Sequence, residues 1–363
     1  MSRRPLAQTL QDGWATGHRP ALGLRLLAHL FGALVAARRA LYRRGWMTAQ
    51  RLPVPVIVVG NRIVGGAGKT PTTLALLQAL MAAGHHPGVV SRGHGRRSDD
   101  ADTPRQVTPQ SAAQDAGDEP LLLARRNGGV PVWVGRQRAR AGLALLAAHP
   151  EVDVLVCDDG LQHLALARDI EVIVFDERGG GNGWLLPAGP LREPVDQPSS
   201  TPAVLLYNAA QPSTAQPGHL LTRRLAGAVS LADWWAGRPA DPAALQALGG
   251  RELLICAGVG QPGRFAAMLK AQGLAHTHLL PLDDHHDYAE LPWPVDAAIT
   301  DVLVTEKDAV KLDPQRVAAE RPASRVWVVP LELAWPQAAL DEVMTHLARL
   351  ERPARTPAQK RLT

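Results

Sequence analysis

Along the 363-residue chain, short apolar runs end in polar or glycine-rich turns and give way to stretches with apolar residues three and four positions apart. Short apolar runs suit buried strands, and the second spacing suits helices that bury one face. The first run is 54–59, and Leu74, Leu77 and Leu80 mark the helix after it. Further strands are predicted at 87–90, 130–134, 152–157 and 170–175, with a helix over 138–148. Residues 201–235 alternate less cleanly, with strand-like runs at 203–207 and about 219–225, and the region to about 250 reads as a connector. A second series follows: strand 252–257, a helix ending at Lys270, strands 277–280, 302–305 and 326–329, and a helix over 340–350. Before the first strand stands a long helix candidate, 21–44. Alternation of this kind builds parallel sheets covered by helices. The expected organisation is an N-terminal helix in 1–50, a first α/β domain in 51–200, a linker with β-strands in 201–250, a second, smaller α/β domain in 251–350 and a disordered tail in 351–363.

The first strand leads into Val64-Gly65-Gly66-Ala67-Gly68-Lys69-Thr70, followed by a helix with Pro71 in its first turn. Strand, glycine-rich turn, Lys-Thr and helix is the arrangement of a phosphate-binding loop. Glycines let backbone N–H groups converge on a polyphosphate, the helix N-terminus adds positive potential, Lys69 reaches the β/γ-phosphates, and the Thr70 hydroxyl meets Mg²⁺. The strict pattern requires glycine where this chain has Ile63, and what stands here is closer to the variant loop of switch-type ATPases, which begins Lys-Gly-Gly. Lys69 is the only lysine in the first 269 residues of a chain rich in arginine, so a compact point charge is kept at this position.

Charge changes the picture at one end. Residues 1–51 hold nine arginines and one acid, a net of +8, so the other 312 residues sum to −3 against the total of +5. A nucleic-acid-binding surface spread over the protein is therefore not expected. The helix candidate 21–44 has Arg25, His29, Arg39 and Arg43 on one face and Leu24, Leu27, Phe31, Leu34 and Leu41 on another. Such a helix either lies in an anionic membrane surface or packs on its own domain, and both readings stand at this point. Its apolar part is short for a span and carries no cleavage site for a secretory signal. Cys157 and Cys256 sit in apolar runs as free thiols, and neither they nor the thirteen histidines have zinc-ligand spacing.

Other candidate groups fall at strand ends. Arg92 and Arg96, in Ser-Arg-Gly-His-Gly-Arg, can grip a phosphate or a sugar, or belong to a solvated loop. Asp158 and Asp159 end an apolar strand about 90 residues after the phosphate loop, where such folds hold Mg²⁺. Asp118 opens a helix in Gly-Asp-Glu-Pro, as a cap or as a catalytic carboxylate. The loop 179–194, too long and rich in Gly and Pro for a turn, carries Arg192 and Glu193.

Taken together and in order, VGGAGKTP, SRGHGR, GDEP, DDGLQH, NGWLLPAGPLREP, DHH and VTEKD resemble the tetraacyldisaccharide 4'-kinase family across about residues 24–350. That resemblance implies two α/β/α domains joined by a small β-linker, with ATP and the acceptor between them and an amphipathic N-terminal helix on the cytoplasmic face of the bacterial inner membrane. It implies transfer of the γ-phosphate of ATP, with Mg²⁺, to the 4'-hydroxyl of tetraacyldisaccharide 1-phosphate to give lipid IVA. By the same resemblance Lys69 and Thr70 are phosphate and Mg²⁺ residues, and Asp158, Asp159 and Glu193 are metal-site acids with Arg192 beside them. The resemblance also makes Asp118 the catalytic aspartate and His285 its partner (with His286 next door), and implies that Glu306 and Lys307 lie near the nucleotide. The expected partners are the lipid disaccharide and an anionic membrane surface, with no nucleic acid and no obligate protein. The rival readings are a partner-driven switch ATPase, which would use a lysine where Val64 stands, and a membrane-bound nucleic-acid factor.

Overall fold

The computed structural model describes residues 14, 19–96, 102–284, 286–295 and 298–350. His285 and the tail 351–363 lie outside the described residues. The strands are β1 (Val56–Gly60), β2 (Pro87–Ser91), β3 (Arg105–Val107), β4 (Val132–Val134), β5 (Val154–Asp158), β6 (Ile170–Asp176), β7 (Ala203–Asn208), β8 (His219–Leu220), β9 (Thr222–Leu225) and β10 (Val229–Ser230). They continue with β11 (Leu253–Ala257), β12 (Thr277–Pro281), β13 (Asp301–Val304), β14 (Arg325–Val328) and β15 (Leu331–Ala334).

Eight strands form one sheet in the order β3-β4-β2-β5-β1-β6-β7-β8, parallel except at the β3 edge. Strands β1, β2, β5 and β6 are buried along their whole length, so they read as continuous apolar runs. The chain leaves β1 on one side of the sheet and returns past it to β6, so the strand order reverses between β5 and β1. Ligands of open parallel sheets bind at such a reversal, outside the carboxyl ends of the strands. Five strands form the second sheet, β10-β14-β13-β11-β12, with its reversal beside β11 and β13. The carboxyl ends of β1 and β5 face those of β11 and β13 across a cleft. One apolar core, including Leu76, Leu121, Val302 and Trp335, runs continuously beneath both sheets.

Residues 201–250 do not form a separate linker. Strands β7 and β8 extend the large sheet, β9 pairs with β15 in a two-stranded ribbon, and β10 joins the second sheet. Most of β7 is buried, which is why it lacks the alternation that marks a half-exposed strand. The C-terminal helix, Gln337–Ala348, was expected in the second domain. Instead it returns to β6 and β7 of the first sheet with Ala339, Val343 and Leu347 inward. No helix among the described residues is long and apolar enough to cross a membrane.

The N-terminal helix spans Leu22–Arg43 and lies over the loop that carries Trp184, Arg192 and Glu193. Its faces are not those the residue spacing suggests. Arg25 stacks over the Trp184 ring at 5.3 Å, and Arg39 bonds Glu193 at 2.8 Å. Ala28 is buried, while Leu22, Leu26, Leu27, Leu30 and Leu34 are all more than half exposed. Arg25 and Arg39 turn inward because a remote loop supplies an indole and a carboxylate to receive them.

Candidate active site

The glycine-rich turn is held from three sides. Asn61 donates to the Gly65 carbonyl (3.2 Å), Arg178 to Val64 (3.2 Å) and Asn208 to Ala67 (3.0 Å). Gly68 has φ +87°, and a Cβ there would overlap the Asn208 amide, so only glycine serves. The helix begins at Lys69, three residues before its apolar spacing becomes visible, and Lys69 and Thr70 are buried in its first turn. Lys69 Nζ lies 3.3 Å from Asn61 Oδ1 and 3.6 Å from Asp159 Oδ1.

At the end of β5, Asp158 is fully buried, and Oδ1 accepts a 2.8 Å bond from the Thr73 hydroxyl. Its other oxygen, Oδ2, has no hydrogen-bond partner. Burial first, then the charges of Glu119 and Asp159, push this carboxyl up to about 7. Asp159 adopts φ +49°, a rare conformation for a residue with a side chain, which fixes the direction of its carboxylate. Burial pulls the Asp159 pKa upward, yet Lys69, Arg192 and Arg138 together hold it below the usual range.

Two cavities flank these groups. The first, of about 200 Å³, lies between the sheets, with Gly66, Lys69 and Thr70 on one wall and Val259, Gln261, Phe265 and Glu306 on the other. A Cβ on Gly260 would stand 3.9 Å from the Gly66 amide nitrogen, so the second unit closes directly over the phosphate loop. The second cavity, of about 870 Å³, is walled by Phe31, Val35, Arg38 and Arg39 of the N-terminal helix and by Arg92, Arg136, Arg138 and Arg192. Gly66, Lys69, Glu119 and Lys307 line both cavities. At this junction Lys307 Nζ lies 3.4 Å from Asp284 and 3.8 Å from Glu119.

Several expected residues sit differently. Asp118 is not a helix cap, since Gly117 occupies that position. It lines neither cavity, and its carboxylate pairs with Lys311 Nζ at 3.0 Å. Lys311 also donates to the His286 carbonyl at 2.8 Å, which joins Asp118 to the Asp-His-His turn. The His286 ring packs against Tyr288 at 4.8 Å. Glu193 lines the larger cavity together with Lys69 and Asp159. Its oxygens go to Arg39 (2.8 Å), Arg62 (3.7 Å) and Gln162 (3.4 Å). Glu306, 6% exposed, accepts from Arg126 (2.7 Å) and Trp234 (2.9 Å), and burial raises its pKa. Arg92 is on the wall of the larger cavity, whereas Arg96 is not.

Sequence reading missed Asn61, Asn208, Glu119, Arg136, Arg138 and Gln162. Only Glu119 and Gln162 stood in recognised motifs. Asn61 directly follows β1, and the others are brought in by tertiary structure, Asn208 from 141 positions away.

A phosphate-binding loop facing a second α/β unit, with a large basic cavity opening where its lysine stands, defines a nucleotide-dependent phosphotransferase. The family description that matches this chain, over residues 20–349, is tetraacyldisaccharide-1-P 4'-kinase. Similar relatives include the tetraacyldisaccharide 4'-kinase of Leptothrix cholodnii, 57% identical over 97% of this chain and 98% of that one. The protein of the same name from Methylibium petroleiphilum is 52% identical over 96% of each chain. Among solved structures, LpxK of Aquifex aeolicus in complex with ATP is similar with a TM-score of 0.70 and 25% identity, over 88% of this chain and 97% of that one. The chain belongs to the tetraacyldisaccharide-1-P 4'-kinase family.

Proposed function

We infer that the protein is an ATP-dependent kinase that transfers the γ-phosphate to the 4'-hydroxyl of tetraacyldisaccharide 1-phosphate, forming lipid IVA in lipid A biosynthesis. One observation carries this reading beyond family membership. The cleft at the phosphate loop and the larger basic cavity meet at Gly66, Lys69, Glu119 and Lys307. A phosphoryl group on Lys69 would sit at that junction, within reach of an acceptor held in the second cavity. The switch-ATPase reading loses ground for the same reason: such a protein needs no second cavity, and Val64 stands where its lysine would be.

Roles follow from position. Backbone N–H groups of residues 64–68 and the first helical turn cradle the phosphates. Lys69 and Lys307, from opposite units, neutralise charge that spreads over the transferring group. Arg92, Arg136 and Arg138 suit the acceptor's own phosphate, since a guanidinium binds phosphate through two donors. Asp118 is assigned as the base that takes the 4'-hydroxyl proton. Its link through Lys311 to the His286 carbonyl supports a neighbouring role for His285.

The residues at the loop also fit Mg²⁺. Thr70, Asp158 and Asp159 offer hard oxygen ligands, and Asp158 Oδ2 is a buried oxygen with no partner. No group of three His, Cys, Asp or Glu side chains able to cage a metal occurs among the described residues. An ion there would be held by one or two carboxylates and by nucleotide phosphates. Bound there, Mg²⁺ supplies charge neutralisation to the phosphates. Glu193, expected in the same site, pairs with Arg39 and Arg62.

The exposed leucine row of the N-terminal helix, with Trp46 at 74% exposure just beyond it, suits an anionic membrane surface on the cytoplasmic side of the inner membrane. The test is direct. Purified protein with labelled ATP should phosphorylate the lipid disaccharide and hydrolyse little ATP without it; steady hydrolysis with no labelled lipid would overturn the reading.

A further inference from the structure

Resting on the kinase reading, we propose that Arg39 of the N-terminal helix is a positioning residue for the phosphate-loop lysine, so that this helix orders the active site as well as holding the protein at the membrane. A continuous relay links them. Arg39 Nη1 bonds Glu193 Oε2 at 2.8 Å, and Glu193 Oε1 accepts from Gln162 Nε2 at 3.4 Å. Gln162 Oε1 in turn accepts from Arg192 Nη1 at 3.3 Å. The same Arg192 nitrogen lies 3.3 Å from Asp159 Oδ1, which is 3.6 Å from Lys69 Nζ. Five side chains thus connect the helix to the lysine without a gap.

The relay has few alternatives to choose from. Glu193 is 2% exposed, so removing Arg39 would leave its buried carboxylate with only Arg62 as a cation, and the carboxylate would reorient or draw Gln162 with it. Arg39 Nη2 is also held by the Pro198 carbonyl at 3.2 Å, and Arg38 by the Gln162 carbonyl at 3.4 Å, so the helix grips both arms of the relay. Meanwhile Leu22, Leu26, Leu30 and Leu34 face away from it. One side of the helix meets the membrane while the other fixes a catalytic geometry. Seating the helix is then coupled to turnover through these contacts.

The two roles separate experimentally in the full-length protein. Turnover is measured with acceptor in detergent micelles, where membrane delivery is not limiting, and binding by flotation with phosphatidylglycerol vesicles. For Arg39→Ala, kcat should fall by about tenfold, in the usual range of coupling between sites, while flotation stays unchanged and KM for ATP moves little. Gln162→Leu acts further along the same relay, so combining it with Arg39→Ala should lose little more than the worse single variant. Arg39→Lys keeps a cation for Glu193 but cannot also hold Pro198. It should lose less, and it serves as the readout if the alanine variant folds poorly. Unchanged kcat in both Arg39 variants, or fully multiplicative losses in the double variant, overturns the relay. Failure of the kinase reading would show separately, as no lipid phosphorylation by the unaltered protein.

Discussion

Replacing Asp118 by Asn isolates proton transfer from structure. The change keeps shape and an oxygen that can accept from Lys311, but it removes the negative charge and nearly all basicity. General-base catalysis contributes about 10²–10⁴ in rate, equivalent to about 2.7–5.5 kcal/mol in barrier height. The structural cost is smaller. Lys311 is 6% exposed and loses a charged partner at 3.0 Å, but the Asn oxygen and the His286 carbonyl remain to receive it. That leaves about 1 kcal/mol of stability at stake. Single-turnover rates with saturating ATP and acceptor, beside a melting curve, separate the two. A rate loss of 10² or more with a nearly unchanged melting temperature supports the base. Glu119 is the control, because it lines the junction of both cavities and is held only loosely, 3.8 Å from Lys307. If Glu119→Gln loses more kcat than Asp118→Asn, the base is the neighbouring carboxylate. If Asp118→Asn keeps more than a tenth of the wild-type rate, the reasoning fails outright. His285→Gln should lose kcat, and the Asp118/His285 double variant should be little worse than either single, since groups acting as one unit are strongly non-additive.

Other outcomes follow from the same geometry. Lys69→Ala should cost about 10²–10³ in kcat with the fold intact, as loss of an electrostatic donor does; rates above a tenth of wild type would contradict the phosphate-loop assignment. Changing Leu26, Leu30 and Leu34 to Ser should release the protein from anionic vesicles and raise the melting temperature or leave it unchanged, because all three are exposed; unchanged flotation would make this face irrelevant to membranes. His163 is held at a pKa of about 4 by burial and by Arg138, Arg168, Arg38 and Arg92, below its ordinary 6.5. The unfolded chain therefore binds more protons between those values, so stability should fall as pH drops from about 6.5 to about 4. Urea midpoints at several pH values should show a shallower fall in His163→Gln, and an identical pH slope would remove His163 as a cause.

How much of this was legible depended on whether a residue's role is local. The phosphate loop reads from sequence because strand, glycines, Lys69 and helix are contiguous and each is demanded by backbone geometry. Asp158 and Asp159 read for a similar reason, as two acids at the end of an apolar strand. Asn61 and Asn208 do not, although they hold the loop as firmly as its glycines. Nothing local marks Asn208, whose partner carbonyl at Ala67 is 141 positions away. Glu193 and Asp118 were visible as acids in good places, yet their side chains are bound to Arg39 and Lys311, and sequence does not show which way a carboxylate turns. The apolar run 203–207 shows the strand β7, but nothing local shows that it extends the first sheet, because strand neighbours are set by tertiary structure.

The N-terminal helix shows the deeper limit of pattern reading. Amphipathicity arguments assign polar residues to water and apolar ones to the protein, because water is the usual alternative solvent. Here both assignments fail for part of the helix. Arg25 and Arg39 face the protein, where Trp184 and Glu193 receive them, and Leu22, Leu26, Leu30 and Leu34 face out. Leaving that row in water would waste the favourable transfer of several leucines, each worth about 1.5–3 kcal/mol when fully buried. This arrangement is intelligible if the outer surroundings are apolar and the inner contacts are ionic, as for a helix between a membrane surface and a basic, anion-binding cavity. Phe31 and Val35, on the inner side, line the same cavity as Arg92 and Arg138. An acceptor with acyl chains and a phosphate would suit that combination of an apolar wall beside a cationic one.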